Sequence, residues 1–122
     1  MPTILLVEDE SEFLGCLLEM LTSIGYSPLV ATSGEEALQV AEATDRDIDL
    51  LLTDIFLPQM KGHELADRLR RKNPNLKVMY ISGYLCPSIP EEEVLNGKMA
   101  FLQKPFVTSS LTSQVMKMLT SS

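Results

Sequence analysis

Basic residues are in short supply in this chain: ten Lys and Arg stand against seventeen Asp and Glu, for a net charge of −7. Binding a phosphate backbone needs an excess of Lys and Arg on one face, so the balance argues against nucleic acid as a direct partner. It suits a cation or a basic protein surface. Cysteine is also scarce. Cys16 and Cys86 match no zinc or redox spacing and are too few for a disulfide scaffold. They read as free thiols in a reducing cytosol. No apolar run approaches the length needed to span a membrane, and no basic region followed by an apolar segment opens the chain. A soluble, cytoplasmic protein with no membrane segment in this chain is expected. Neither GxGxxG nor GxxxxGK[ST] occurs, which leaves a nucleotide-binding module poorly supported. There is no internal repeat, low-complexity tract or linker.

What is present is a core. The 122 residues, 45 % hydrophobic and 22 % charged, are enough for one domain and too few for two. Short runs rich in Val, Ile and Leu recur at an even pitch: Ile4–Val7, Pro28–Ala31, Leu50–Thr53, Val78–Ile81 and Ala100–Leu102. Runs of this length and composition suit strands buried on both faces.

Helical patterns fill the gaps. Phe13, Leu14, Leu17, Leu21 and Ile24 form one stripe that ends at Gly25, a C-cap glycine. Ser33 and Glu36 have capping-box spacing ahead of Ala37, Leu38 and Ala41. A third helix is expected from about Gly62 to Lys72, ended by Pro74. Its "RLRRK" run suits the negative end of the helix dipole and reads as a solvated end. A fifth starts near Thr108 and carries Leu111, Val115, Met118 and Leu119. The fourth gap, "CPSIPEEEVLNG", has two early prolines. Only about Glu91 to Asn96 suits a helix, so a short or frayed element is expected there. The βαβαβαβαβα order predicts an α/β fold, a parallel sheet with crossover helices.

In such sheets ligands bind beyond the carboxyl ends of the strands. The residues at those positions are Glu8 and Asp9, Thr32 and Ser33, Asp54, Ser82 and Lys104. Thr32 and Ser33 look like helix caps. Glu10 also reads as a cap. Asp54 does not, because the apolar "IFLP" follows it rather than a first helical turn. Carboxylates gathered in a half-buried crevice are costly unless something positive offsets them. Oxygen ligands without His or Cys suit Mg²⁺, with Mn²⁺ as the alternative. A lysine can balance a phosphoryl oxygen, and a hydroxyl can donate to another. A carboxylate can itself be the nucleophile and become an aspartyl phosphate.

These segments, "LLVEDE" (5–10), "LLTDIFLPQMKG" (51–62), "ISGY" (81–84) and "AFLQKPF" (100–106), resemble the receiver domain of two-component response regulators. The resemblance covers essentially the whole chain, residues 1–122, as a single receiver domain. It implies a flavodoxin-like, doubly wound sheet of order 2-1-3-4-5 with five helices in three layers. It implies that Asp54 is the phosphoacceptor. Asp9, Glu8, Asp54 and the backbone carbonyl of Phe56 would serve Mg²⁺. Ser82 and Lys104 would contact the phosphoryl group, Phe101 would be the switch aromatic, and the Lys104–Pro105 bond would be cis. The implied donor is a histidine kinase or histidine phosphotransfer protein, and the implied readout is the surface of the fourth helix, fifth strand and fifth helix. The chain is then a phosphoacceptor that assists its own phosphotransfer and dephosphorylation, not a free-standing enzyme. "SGY" followed by "FLQKPF" also resembles receivers of hybrid sensor histidine kinases, which allows a place in the cytoplasmic part of a larger membrane-associated kinase.

Ser82 stands where Thr is commoner in that family, and the hydroxyl survives. Phe56 and Tyr84 are bulky and are expected to flank the phosphoryl site and slow its hydrolysis. Pro58 and Gly62 are expected to shape the loop after the third strand. His63 reads as a solvated histidine, and Met116 and Met118 as packing residues. Two rival functions use the same residues differently. A haloacid-dehalogenase-type phosphatase needs a second Asp two residues after the nucleophile, where this chain has Phe56. A degenerate receiver that acts only as a docking module would not need the full set of Glu8, Asp9, Asp54, Ser82 and Lys104.

Overall fold

The computed structural model describes residues 2–83 and 91–120. The elements follow in the order β1 (Ile4–Val7), α1 (Ser11–Ser23), β2 (Leu29–Ala31), α2 (Gly34–Ala43), β3 (Leu50–Asp54), α3 (Gly62–Lys72), β4 (Lys77–Ser82), α4 (Glu91–Leu95), β5 (Met99–Gln103) and α5 (Thr108–Thr120). The strands form one parallel sheet of order β2-β1-β3-β4-β5. This is the flavodoxin-like, doubly wound topology. The chain leaves β1 toward β2 and returns to pair β3 on the other side of β1. A crevice therefore opens at the carboxyl ends of β1 and β3.

Strand alternation sorts the core into two layers. Leu5, Val7, Leu51, Val78 and Tyr80 pack with Ala37 of α2 and with Leu65 and Ala66 of α3. Ile4, Leu6, Leu50, Leu52, Met79 and Ile81 pack on the opposite face with Leu17 and Leu21 of α1 and with Leu111, Val115 and Met118 of α5. Both faces of the central strands are buried, so the strands read as continuous apolar runs without alternation.

The helix ends follow local chemistry. Glu10 caps α1, accepting from the N–H groups of Glu12 at 3.1 Å and Phe13 at 2.9 Å. Gly25 follows that helix with φ of 96°, a conformation that favours glycine. Ser33 caps α2, its Oγ accepting from Glu36 N–H at 3.0 Å. Glu36 does not complete the box at Ser33. It reaches one residue further back, to the N–H of Thr32 at 2.8 Å. Lys77, at the start of β4, donates to the carbonyl of Met118 near the end of α5, where a cation meets the negative end of the helix.

The expected short fourth helix is present as the five residues Glu91–Leu95. Tyr84, Cys86 and the two prolines of "CPSIP" lie outside the described residues. Of the two C-terminal methionines, Met118 packs in the core and Met116 is exposed. His63 is exposed.

The "RLRRK" run departs from its reading as a solvated end. Arg70 has only 17 % of its side chain exposed. Its Nε donates to the Leu76 carbonyl at 3.0 Å, one terminal nitrogen to Glu93 Oε2 at 3.0 Å, and the other to the Lys98 carbonyl at 3.2 Å. The planar guanidinium fork thus ties α3 to the entrance of β4, to α4 and to the entrance of β5. Composition could not single out Arg70 from its neighbours, because only the helix phase turns it inward. Arg70→Met is expected to cost about 1–3 kcal/mol, the range for losing charge-assisted bonds and leaving their partners unmatched. Urea denaturation measures that loss, and hydrogen exchange should show faster exchange at the amides of α4 and Lys98.

Candidate functional site

Each acidic residue is placed by the end of a strand. Val7 is the last residue of β1, and the chain turns at once into the cap of α1, leaving Glu8 buried and Asp9 exposed. Glu8 Oε2 accepts from the N–H of Glu10 at 3.0 Å. Asp54 closes β3, opposite Ile81 of β4. One carboxylate oxygen from each of Glu8, Asp9 and Asp54 lies within 4.8 Å of the others.

The loop after Asp54 is shaped by two backbone features. Gln59 has φ of 69°, in the left-handed region. Gly62 turns the chain back against β3, its N–H donating to the Ile55 carbonyl at 2.8 Å. A Cβ on Gly62 would lie 2.4 Å from the carbonyl oxygen of Asp54 and 3.1 Å from the Cα of Ile55. The expected loop-shaping role thus has a specific steric cause: only glycine lets α3 start this close to the end of β3.

The balancing charge arrives from β5. The N–H of Lys104 donates to the Ser82 carbonyl at 2.8 Å, which continues the β4–β5 pairing past Gln103. The Lys104–Pro105 peptide is cis. The Lys104 ammonium lies 3.0 Å from Asp54 Oδ2 and 3.7 Å from Glu8 Oε1. The N–H of Phe56 approaches the other Asp54 oxygen, Oδ1, at 3.4 Å.

Glu8 is the electrostatic extreme of the site. Its side chain is only 2 % exposed, and among the described residues its Oε1 has no hydrogen-bond partner. Burial, with the Asp54 and Asp9 carboxylates nearby, pushes its pKa from 4.5 up to about 8, against the opposing bond from the Glu10 backbone. A buried carboxylate oxygen that accepts no hydrogen bond among the described residues, facing two further carboxylates, suits a hard divalent cation.

The structure brings Glu8, Asp9, Asp54 and Lys104 into one cluster. Ser82 is fully buried at the end of β4, one residue beyond the Asp54–Ile81 pair. Phe101 lies opposite Tyr80 on β5 and packs, half-buried, on the core layer of α2 and α3. Phe56 is 46 % exposed beside Asp54, with Lys61 Nζ 4.9 Å from its ring centre. One neighbour of the cluster is a residue that the sequence shows only as part of a helix stripe: Phe13, whose ring centre lies 4.3 Å from Lys104 Nζ. Its position in the first turn after "VEDE" was the available signal.

The description "Response regulator receiver domain" belongs to the family model that matches residues 4–116. This chain belongs to that family. It is 35 % identical to the sensor kinase CckA of Brucella abortus over 96 % of this chain, and 33 % identical to the response regulator receiver protein CpdR of the same organism over 98 %. It spans 12 % of the kinase and 98 % of the receiver protein. Among solved structures, the receiver domain of the hybrid histidine kinase CckA superposes with a TM-score of 0.80 at 34 % identity, covering 96 % of this chain and 98 % of that one. The receiver domain of NtrX from Brucella abortus gives 0.82 at 27 %, covering 98 % and 99 %. Receiver domains are regulatory phosphoacceptors of two-component phosphorelays and bind Mg²⁺ at an acidic pocket; this chain has a cluster of Glu8, Asp9 and Asp54. No described helix is long and apolar enough to cross a membrane.

Two outcomes follow from this geometry. Gly62→Ala is expected to destabilise the fold by about 1–3 kcal/mol, because backbone rather than a flexible side chain must yield; thermal or urea unfolding reads the loss. The second concerns pH. Between pH 4.5 and about 8, folded Glu8 keeps a proton that the unfolded chain releases. Raising pH through that window therefore lowers the stability of the metal-free protein, and above it the cost is complete. Glu8→Gln should remove this contribution. Its stability relative to the parent, measured in chelator at a series of pH values, should rise across the window and level off beyond it.

Proposed function

We propose that residues 1–122 form a single receiver domain that accepts a phosphoryl group on Asp54 from a phosphohistidine of a histidine kinase or phosphotransfer protein. The observation that carries this reading is the placement of Lys104 Nζ 3.0 Å from Asp54 Oδ2 beside a cluster of Asp54, Asp9 and Glu8. A nucleophilic carboxylate, a cation for the incoming phosphoryl oxygens and ligands for a metal then share one crevice.

A carboxylate oxygen of Asp54 attacks phosphorus in line with the phosphorus–nitrogen bond of the donor. The new phosphorus–oxygen bond forms as that bond breaks, and the electron pair leaves on the imidazole nitrogen. Lys104 moves from the carboxylate to a phosphoryl oxygen, keeping a charge-assisted contact throughout. Ser82 supplies a hydroxyl to another oxygen. Glu8, Asp9, Asp54 and the carbonyl of Phe56 would hold Mg²⁺ or Mn²⁺. When bound, the ion offsets the charge of an anion approaching carboxylates. The rearranged Ser82 leaves room that Phe101 fills by turning inward, and the surface of α4, β5 and α5 changes with it. This is a two-state shift biased by one covalent charge change.

The chain thus acts as a phosphoacceptor that assists its own transfer and hydrolysis, in the cytoplasm, with kinase or phosphotransfer partners. The exposed ring of Phe56 next to Asp54 supports slow hydrolysis by hindering water. The docking-module alternative gains nothing from the geometry, since a merely docking receiver has no use for Lys104 on Asp54.

Incubation with acetyl phosphate and Mg²⁺, followed by intact mass measurement, is expected to give one phosphoryl adduct. The adduct should vanish in Asp54→Asn and in chelator, and should decay slowly once donor is removed. A protein that stays unmodified under these conditions is a docking module instead.

A further inference from the structure

The charges around Asp54 leave one neighbour of Lys104 unexplained. Phe13 stands half-buried in the first turn of α1, and the Lys104 ammonium lies 4.3 Å from the centre of its ring. The face of a phenyl ring carries the negative lobe of its quadrupole and attracts a cation at this distance. The ring is itself held. Phe106, two residues beyond Lys104, packs against it in a T-shaped arrangement, with ring centres 6.0 Å apart and planes at 61°. The backbone N–H of Phe13 donates to the Glu10 cap at 2.9 Å. Both rings also pack on the core layer of α1 and α5.

We propose that Phe13 is a positioning residue for Lys104, holding the ammonium over the phosphoacceptor by a cation–π contact. The inference rests on the phosphoacceptor reading of Asp54. A lysine stem has several freely rotating bonds, so a point charge at its end needs restraint to stay on target. The carboxylate partners cannot supply that restraint through a reaction. Asp54 changes from carboxylate to acyl phosphate, and Glu8 Oε1 lies further from the ammonium, at 3.7 Å. The Phe13 ring has the same charge distribution before and after transfer. It leaves the ammonium free to slide from the Asp54 oxygen to a phosphoryl oxygen while confining it to one side of the crevice. An aliphatic residue would fill the same space without that attraction.

The test separates attraction from packing. In protein carrying isotope-labelled lysine, the methylene protons next to the Lys104 ammonium should resonate upfield of other lysines through the ring current of Phe13. That displacement should disappear in Phe13→Leu. A fluorinated phenylalanine installed at position 13 keeps the shape of the ring and weakens its negative face. It is expected to slow phosphorylation by acetyl phosphate roughly three- to tenfold at an unchanged unfolding midpoint. Phe13→Tyr, which keeps the face, should stay near the parent rate. An absent upfield shift overturns the proposal. So does a fluorinated variant that reacts at the parent rate while Phe13→Leu is slow, because packing alone would then account for the effect. A parent protein that shows the upfield shift yet takes up no phosphoryl group overturns the phosphoacceptor reading, and the role of Phe13 with it, while the contact itself stands.

Discussion

The ammonium of Lys104 is what lets three carboxylates share the crevice between β1 and β3. Without it, Asp54 and Glu8 would face each other at the edge of a low-dielectric interior, relieved only by protonation or a bound cation. Lys104 approaches Asp54 more closely than Glu8, at 3.0 Å against 3.7 Å. The division matters. Asp54 keeps a cationic partner in direct contact, while the buried Glu8 is left to a proton or a metal. The site therefore holds two carboxylates in different electrostatic conditions within a few ångströms.

That balance depends on parts of the chain far apart in sequence. Lys104 is delivered by the β4–β5 pairing, which runs on through its own N–H to the Ser82 carbonyl. Asp54 is delivered by a central strand buried on both faces, and the return of the chain at Gly62 seals the space behind it. The two core layers fix the strands against each other, so a charge on one strand end meets a charge on another with little freedom of adjustment. Close packing converts apolar pattern into electrostatic geometry.

Much of this was legible beforehand, and the reason is physical. Strands buried on both faces appear as unbroken Val, Ile and Leu runs, so β1, β3 and β4 stood out with ends that moved by at most a residue. The residues after those strands carried the polar groups, and topology brought Glu8, Asp9, Asp54 and Lys104 together. Less legible were contacts that depend on the phase of a helix or on backbone clearance. Arg70 sits among similar basic neighbours, and only its turn of α3 aims it at carbonyls from two other segments. Phe13 reads as one apolar residue in a stripe, yet its ring both packs on the core and lies under a cation. Glu36 reaches past its expected partner to Thr32, a choice between adjacent amides that spacing alone does not decide.

The Arg70 fork has a mechanical consequence. It grips α4 through Glu93, the middle residue of the helix, and anchors it to the amino-end entrances of β4 and β5. Any displacement of α4 would then load the Arg70 fork and, through it, the entrances of two neighbouring strands at once, so that one planar group acts as a shared tie rod.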